Sequence, residues 1–218
     1  MLDVIEMQGT VRITGKVVAR NMTYEEFLAT DFENPHVEWV NGVVIQMASI
    51  DDRHDALTGF LRIFFTIYLQ YTGGGRVLQD PMVMKLDAVP SSRAPDIQVL
   101  LPDRLHQLKQ NQVVGPANLV VGVVSPGSKR QDRIEKYREY ELGGVPEYWI
   151  LDPTKDETLF YQLNEAGVYE AIEADSMGIY RSRSLKYLRF PADMFMHQEL
   201  PSVDEIIVMV KAMLENKQ

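Results

Sequence analysis

The chain has 218 residues, and its 31 acidic and 22 basic side chains give a formal charge of −9. It contains no cysteine, which excludes disulfide bonds and any zinc or iron–sulfur site built from thiolates. The length is enough to bury a large core, and 45% hydrophobic residues are typical of a globular chain. The first residues lack the basic start of a signal peptide, and no segment has about 18 consecutive apolar residues. We therefore expect a cytoplasmic protein without a membrane partner.

The first predicted elements are a short helix and a β-hairpin. Thr23 followed by Glu26 is a capping-box pattern that opens a helix ending near Ala29. The runs Val37–Val40 and Val43–Ile45 are rich in β-branched residues, and the Asn-Gly dipeptide between them is the strongest signal for a two-residue hairpin turn.

A long buried helix is predicted next. Between Leu57 and Tyr68 the apolar residues follow helical spacing and cover nearly the whole circumference, which indicates burial on most sides. The run Gly73-Gly74-Gly75 ends this helix because glycine gives the backbone too much freedom. Three short strands are predicted after it, at Val77–Gln79, Met82–Leu86 and Ile97–Leu101.

The second half of the chain is predicted to alternate strands and helices. In chain order these are the strand Leu119–Val124, the helix Lys129–Leu142, the strand Tyr148–Leu151, the hairpin Leu159–Leu163 with Val168–Ile172, and the helix Val203–Leu214. This alternation favours an α/β (α+β) layer fold, with a central mixed β-sheet flanked by helices, in a single domain over residues 1–218.

Basic residues are concentrated in two segments of this acidic chain. Residues 129–138 carry a local charge of +3, and residues 181–189 carry +4. Such runs are common on solvated surfaces, but they also suit a track for a polyanion. In the first segment, the candidates for nucleic-acid binding are Lys129, Arg130 and Arg133.

Several familiar sites are missing from the sequence. The four histidines have no spacing typical of zinc ligands, and there is no phosphate-binding glycine loop after a strand and no Gly-x-Ser-x-Gly elbow. What remains is a set of carboxylates and one lysine at the ends of predicted elements.

Each of these residues has a structural interpretation beside a functional one. Asp96 follows a proline at the start of a buried strand, where it either closes an Asx turn or binds a metal. Lys136 follows Asp132 by four residues, which is also the spacing of a surface ion pair worth about 0.3–0.5 kcal/mol. Glu38 lies on the polar side of the hairpin or faces a cleft. His54 begins a buried helix, where most histidines are structural.

The order of these residues resembles a known family. Pro95-Asp96 precedes a buried strand, and after that strand the matching positions are Ser125-Pro126-Gly127-Ser128, Asp132, Lys136, Tyr140, Gly144-Val145-Pro146-Glu147-Tyr148-Trp149 and Asp152-Pro153. This series is similar to that of the Uma-two family, whose members are described as restriction endonucleases of the PD-(D/E)XK nuclease superfamily. The resemblance covers residues 24–161 and implies a restriction-endonuclease-like core, with residues 162–218 as a C-terminal extension of a β-hairpin and a helix.

The resemblance also implies residue roles. In such nucleases an aspartate and a glutamate on the next core strand hold Mg²⁺, or Mn²⁺, while a lysine polarises or positions the attacking water. By resemblance Asp96 is a metal ligand and catalytic, Lys136 is the catalytic lysine, and Glu38 is a catalytic residue that supports the metal from the hairpin. Supporting roles are expected for His54, Asp132 and Ser125.

The sequence departs from the family at one position. The metal-binding glutamate is expected two residues before the Val-Ser-Pro end of the buried strand, and this position is Gly122. Two hypotheses follow: a DNA endonuclease dependent on Mg²⁺ whose activity is weakened or lost, or a catalytically inactive nuclease-fold protein that binds nucleic acid or a protein partner. A homodimer formed through the Met-rich C-terminal helix is a weaker alternative.

Overall fold

The computed structural model describes residues 3–6, 12–47, 49–125, 128 and 131–215. The α-helices in these ranges are α1 (Tyr24–Ala29), α2 (Asp52–Thr72), α3 (Tyr137–Leu142) and α4 (Val203–Glu215). A π-helical turn, Gln131–Lys136, leads directly into α3, and 3₁₀ turns cover Pro102–Gln107 and Met194–Met196.

Fifteen strands lie in the same described ranges. In chain order they are β1 (Asp3–Glu6), β2 (Arg12–Ala19), β3 (Val37–Val40), β4 (Val43–Gln46), β5 (Arg76–Leu78), β6 (Val83–Lys85), β7 (Ser91–Arg93), β8 (Ile97–Leu100), β9 (Gln112–Val114), β10 (Leu119–Val123), β11 (Glu147–Asp152), β12 (Glu157–Leu163), β13 (Tyr169–Ala171), β14 (Ile179–Arg181) and β15 (Arg189–Pro191).

The strands form two large sheets and one hairpin. The central sheet has the order β13-β12-β11-β10-β8-β5, and it is mixed because β10 and β11 are parallel while its other pairs are antiparallel. The second sheet has the order β1-β2-β4-β3-β7-β6-β9, and β14 pairs with β15. The predicted mixed sheet is therefore confirmed, and a second sheet, which the sequence did not indicate, lies beside it.

The central sheet is covered on both faces. One face packs against α2 and α4, with Val121, Val123 and Trp149 in the same apolar cluster as Phe64 and Val210. The other face packs against α3 and the second sheet, in a cluster that contains Tyr140 from α3 and Met84 from β6. All five residues of β10 are buried, as the continuous apolar run predicts for a strand covered on both sides.

Local sequence signals account for the elements that carry the site. The capping box is present, since Thr23 and Glu26 exchange side-chain and backbone hydrogen bonds at the start of α1. The β3–β4 hairpin forms as predicted, and both turn residues, Asn41 (φ 46°) and Gly42 (φ 84°), have the positive φ of a type I′ turn. Helix α2 ends at Gly73 in the left-handed conformation.

Other elements differ from the sequence-based prediction. The single predicted helix 129–142 is a π-helical turn followed by a short α-helix, and its first two residues lie outside the described ranges. Strands β1, β2, β7, β9, β14 and β15 were not predicted. The strands β7 and β9 have three residues each, so their alternation is too brief to recognise, and they are stabilised by pairing with β3 and β6.

Candidate active site

The hairpin places Glu38 in a fully buried position at the centre of the site. Its Oε2 accepts hydrogen bonds from Arg93 Nη1 at 2.9 Å and Gln131 Nε2 at 2.8 Å, while Oε1 accepts from the Ala94 backbone N–H at 3.2 Å. Lys136 Nζ lies 3.2 Å from the same Oε1. Burial raises the pKa of Glu38, but the charges of Lys136 and Arg93 outweigh it, and the net pKa is lowered. Glu38 is therefore an ionised carboxylate held by four donors.

This geometry does not favour the metal-ligand role predicted for Glu38. Both of its oxygens already accept hydrogen bonds from nitrogen donors, and two of these donors are cations. A divalent ion bound there would lie against the positive charges of Arg93 and Lys136. The residue instead serves as the counter-ion that positions these two side chains.

Asp96 lies at the start of β8, as predicted, and it is the more accessible carboxylate. Its Oδ2 accepts a hydrogen bond from the Val123 backbone N–H at 2.7 Å, and its Oδ1 lies 3.1 Å from His54 Nε2. The Asp96 side chain is 19% exposed, compared with 0% for Glu38. These contacts fix Asp96 beside β10 and leave one edge open to solvent.

His54 lies in the first turn of α2, where the Asp51 side chain caps the helix by accepting a hydrogen bond from the His54 N–H at 2.8 Å. Burial lowers the pKa of His54, but the hydrogen bond to Asp96 and the charge of Asp96 outweigh it, and the pKa is raised. The imidazole thus contacts Asp96, and the supporting role predicted for His54 stays a prediction.

Lys136 lies at the end of the π-helical turn, with its side chain only 7% exposed. Its Nζ is 3.4 Å from Asp132 Oδ1 and 3.2 Å from Glu38 Oε1. The surface ion pair considered from the sequence is therefore wrong, because both partners are buried. Burial lowers the pKa of Lys136, but the charges of Glu38 and Asp132 outweigh it and hold the pKa well above its ordinary value. Single π-helical turns are frequent at functional sites.

Asp132 is buried with an incomplete set of partners. Its side chain is 2% exposed, its Oδ1 faces Lys136, and its Oδ2 accepts no hydrogen bond from any residue that the structure describes. Burial raises the pKa of Asp132. The charge of Lys136 and a hydrogen bond with the Ser128 side chain offset this only in part, because Asp96 and Glu38 add negative charge. A buried oxygen of this kind is uncommon, because most buried polar atoms have a partner.

Gly122 lies in the middle of β10, opposite Ile150 of β11. A Cβ added to Gly122 would lie 3.1 Å from the Tyr148 hydroxyl and 3.6 Å from Asp132 Oδ1. The Tyr148 hydroxyl also donates a hydrogen bond to the Asp132 backbone oxygen at 3.1 Å. The space that a larger residue would need at position 122 is thus bordered by Tyr148 and by the carboxylate of Asp132.

Three residues that complete the network were missed from the sequence, namely Arg93, Glu139 and Gln131, whose hydrogen bond to Glu38 is described above. The guanidinium of Arg93 is 2% exposed, and it donates to Glu139 through Nε at 2.7 Å and Nη2 at 2.5 Å as well as to Glu38. Glu139 also accepts a hydrogen bond from the Ser91 hydroxyl at 2.7 Å. The only sequence signal was an arginine three residues before Asp96, and β7 itself was not predicted.

Part of this network borders a cavity of about 590 Å³. Its lining includes His54, Asp96, Asp132 and Lys136, together with Ser125 at the end of β10. The Ser125 N–H donates to the Ser128 hydroxyl at 2.9 Å, which closes the turn between β10 and the π-helical turn. The cavity therefore brings together predicted residues from α2, the start of β8, the end of β10 and the π-helical turn. Glu38 of the hairpin is not part of its lining and lies behind it, in contact with Lys136.

The predicted nucleic-acid contacts are placed only in part. Lys129 and Arg130 lie outside the described residues. Arg133 Nη2 lies 2.9 Å from Asp152 Oδ2 and 2.5 Å from Glu157 Oε2, so its guanidinium already has anionic partners. The role of Arg133 in nucleic-acid binding stays a prediction. In the structure its guanidinium forms ion pairs with Asp152 and Glu157 instead.

Within the described ranges, no group of three or more His, Asp or Glu side chains has the geometry of a metal site. In the same ranges, every helix is too short or too polar to cross a bilayer.

Comparison with known proteins identifies the family. The structure resembles the crystal structure of "a putative nuclease belonging to DUF820" from Anabaena variabilis, with a TM-score of 0.60 and 16% sequence identity over 87% of this chain and 99% of that one. The fold is thus a nuclease-like α+β fold. The profile of the Uma2 family, described as "Putative restriction endonuclease", matches residues 24–186, and the chain belongs to this family. No curated protein sequence matches the chain significantly.

Proposed function

We propose that this protein is a DNA endonuclease that hydrolyses phosphodiester bonds with the help of Mg²⁺ or Mn²⁺. The observation that carries the proposal is the convergence of Asp96, Asp132 and Lys136 on one cavity, in a chain that belongs to a family described as restriction endonucleases. An anion-binding lysine beside carboxylates that can hold a cation is the set of groups that phosphodiester hydrolysis needs.

The donor set at the cavity suits magnesium. Mg²⁺ takes hard oxygen ligands and is usually bound through one or two carboxylates while it keeps several waters. Asp96 supplies a partly exposed carboxylate, and the buried Oδ2 of Asp132 has no donor among the described residues. Asp96 would hold the ion, which when bound would polarise the phosphodiester and activate a water for in-line attack.

Lys136 has a more specific role than the sequence indicated. Because Glu38 and Asp132 raise its pKa well above the ordinary value, Lys136 is protonated at neutral pH and cannot act as a general base. Its ammonium group instead donates hydrogen bonds and stabilises the charge that develops on the phosphate oxygens. Glu38 and Arg93 hold this ammonium group in place.

The test is nicking of supercoiled plasmid DNA in the presence of Mg²⁺ or Mn²⁺. We expect the wild-type chain to nick the plasmid, and Asp96→Asn to lose this activity while retaining its melting temperature. Asp103→Asn is the matched control, because Asp103 carries the same charge with a side chain 68% exposed on the 3₁₀ turn 102–107. Equal nicking by Asp96→Asn and the control would refute the proposal.

A second candidate function is a catalytically inactive protein that binds nucleic acid without cleaving it. Gly122 favours it, because the strand carboxylate of the family is missing there. This candidate predicts that DNA binding persists in a mobility-shift assay at normal ionic strength, without divalent cations and without any nicking. Clear nicking that depends on Asp96 contradicts it.

A further inference from the structure

We propose that Asp132 replaces the carboxylate absent at Gly122 and forms, together with Asp96, a two-carboxylate site for a divalent cation. The ligand class is a hard cation such as Mg²⁺ or Mn²⁺. This inference rests on the proposed function, since it names the second cation ligand of the same cavity. It moves that ligand from strand β10 to the π-helical turn beside it.

The first argument is that both carboxylates meet adjacent residues of β10. Asp96 Oδ2 accepts the Val123 N–H at 2.7 Å. Asp132 Oδ1 lies 3.6 Å from the point that a Cβ on Gly122 would occupy. Asp132 therefore brings its carboxylate to the place from which a longer acidic side chain at position 122 would start.

The second argument is the unpartnered oxygen. Asp132 lines the cavity and is 2% exposed, yet its Oδ2 accepts no hydrogen bond from any described residue. Lys136 lies on the Oδ1 side, at 3.4 Å. A buried anionic oxygen without a donor is costly, and a bound cation removes this cost.

The third argument is that Asp132 is held in place by a contact that a residue larger than glycine would disturb. The Tyr148 hydroxyl donates to the Asp132 backbone oxygen at 3.1 Å. A Cβ at position 122 would approach the same hydroxyl to 3.1 Å, which is tighter than ordinary van der Waals contact. Gly122 therefore leaves room for the contact that fixes the π-helical turn over β10.

Glu38 is not an alternative second ligand. Its two oxygens face Arg93, Lys136, Gln131 and the Ala94 N–H, so an ion there would have to displace several of these donors. Among the described residues, Asp132 has one oxygen without a hydrogen-bond donor and Glu38 has none, which favours Asp132.

The test is isothermal titration of the full chain with Mn²⁺ and with Mg²⁺, without DNA. We expect the wild type to bind, and Asp132→Asn to bind at least about tenfold more weakly, because even changes outside the ligand set weaken metal binding by about 10–100-fold. Asp96→Asn should weaken binding to a similar extent. The control Asp204→Asn, on the exposed side of α4, should bind like the wild type.

A swap variant tests the replacement directly. Gly122→Glu with Asp132→Asn returns the carboxylate to the strand. We expect it to recover part of the affinity that Asp132→Asn loses, because the Tyr148 hydroxyl must first shift by a few tenths of an ångström to admit the new Cβ. Melting temperatures without metal check folding. Asp132→Asn should keep the fold, because it removes a buried negative charge at an oxygen that has no hydrogen-bond donor among the described residues. If Asp132→Asn does not fold, Asp132→Ala is the second variant.

The outcomes separate the two proposals. If Asp132→Asn and Asp132→Ala bind Mn²⁺ like the wild type while Asp96→Asn does not, then Asp132 is satisfied by a proton or a water, and the inference is overturned while the nuclease proposal stands. If the wild type does not bind either metal, the inference is overturned, and the plasmid assay decides the nuclease proposal independently. Loss of affinity at both aspartates, with recovery in the swap variant, supports the inference.

Discussion

Replacing Arg93 with methionine should be one of the most destabilising single substitutions in the described part of the chain. The guanidinium is 2% exposed and joins two carboxylates, Glu38 and Glu139, through three hydrogen bonds of 2.5–2.9 Å. Methionine fills a similar volume but removes the positive charge. It leaves Glu139 with the Ser91 hydroxyl and Glu38 with three of its four donors.

The magnitude follows from the burial of the pair. Removing one partner of a buried ion pair costs about 3–5 kcal/mol, because an uncompensated charge stays in the interior. Whole domains have only about 5–15 kcal/mol of stability, so this loss is a large fraction of the total. Glu38 also positions Lys136, and the variant should therefore lose nicking activity as well as stability.

The assay is urea unfolding followed by circular dichroism. Arg183→Met is the matched control, because Arg183 is 62% exposed and its nearest carboxylate, on Glu170, is 4.0 Å away. We expect the control to change the free energy of unfolding by less than about 1 kcal/mol. The double variant Arg93→Met with Glu139→Gln should recover part of the loss. A loss below about 1 kcal/mol in Arg93→Met would refute the reasoning.

Three other predictions concern stability. Glu147→Ala should lower the free energy of unfolding in urea by at least about 2 kcal/mol, because the buried Glu147 carboxylate accepts four hydrogen bonds. Two of them come from the Tyr180 and Ser182 hydroxyls, at 2.6 and 2.7 Å. An unchanged free energy of unfolding contradicts this prediction. Gly59 is an exposed residue in the middle of α2, and Gly59→Ala should raise the free energy of unfolding by about 0.5–1 kcal/mol. Gly42 has a φ of 84°, and Gly42→Ala should lower the free energy of unfolding by about 1–2 kcal/mol. Changes of equal sign would be inconsistent with the backbone argument. Since the pKa of Glu38 is lowered, its stabilisation is present above the ordinary value of 4.5 and is lost as the pH falls through the lowered value. Below pH 4.5, the urea midpoint of the wild type should therefore fall more steeply with decreasing pH than that of Glu38→Gln.

The hydrogen bonds of Glu147 also connect the central sheet to the C-terminal extension. Glu147 accepts hydrogen bonds from Tyr180, Ser182 and the Ser184 N–H. These residues lie beyond residue 161, where the resemblance seen in the sequence ended, but within the range 24–186 that the family profile matches. Phe190 and Val210 lie in the same apolar cluster as Trp149. The extension thus completes the face of the central sheet that α2 also covers.

Much of the fold follows from local patterns in the sequence. The capping box before α1, the Asn-Gly turn and the continuous apolar run of β10 each depend on neighbours within a few residues, so a sequence pattern is sufficient to predict them. The series from Asp96 to Lys136 identified the family, and these two residues do meet at one cavity.

The roles of individual side chains depend on distant partners, and no local pattern encodes these. Arg93 and Glu139 are 46 residues apart, and Glu38 and Gln131 are 93 apart, yet each pair shares a buried hydrogen bond. Packing buries the ion pair of Asp132 and Lys136 and places Glu38 beside Lys136 as its counter-ion. It also places the Asp132 carboxylate next to Gly122. The sequence, through its resemblance to the family, thus predicted the candidate site residues, whereas burial and long-range pairing in the tertiary structure decided the hydrogen-bond and ion-pair partners of each one.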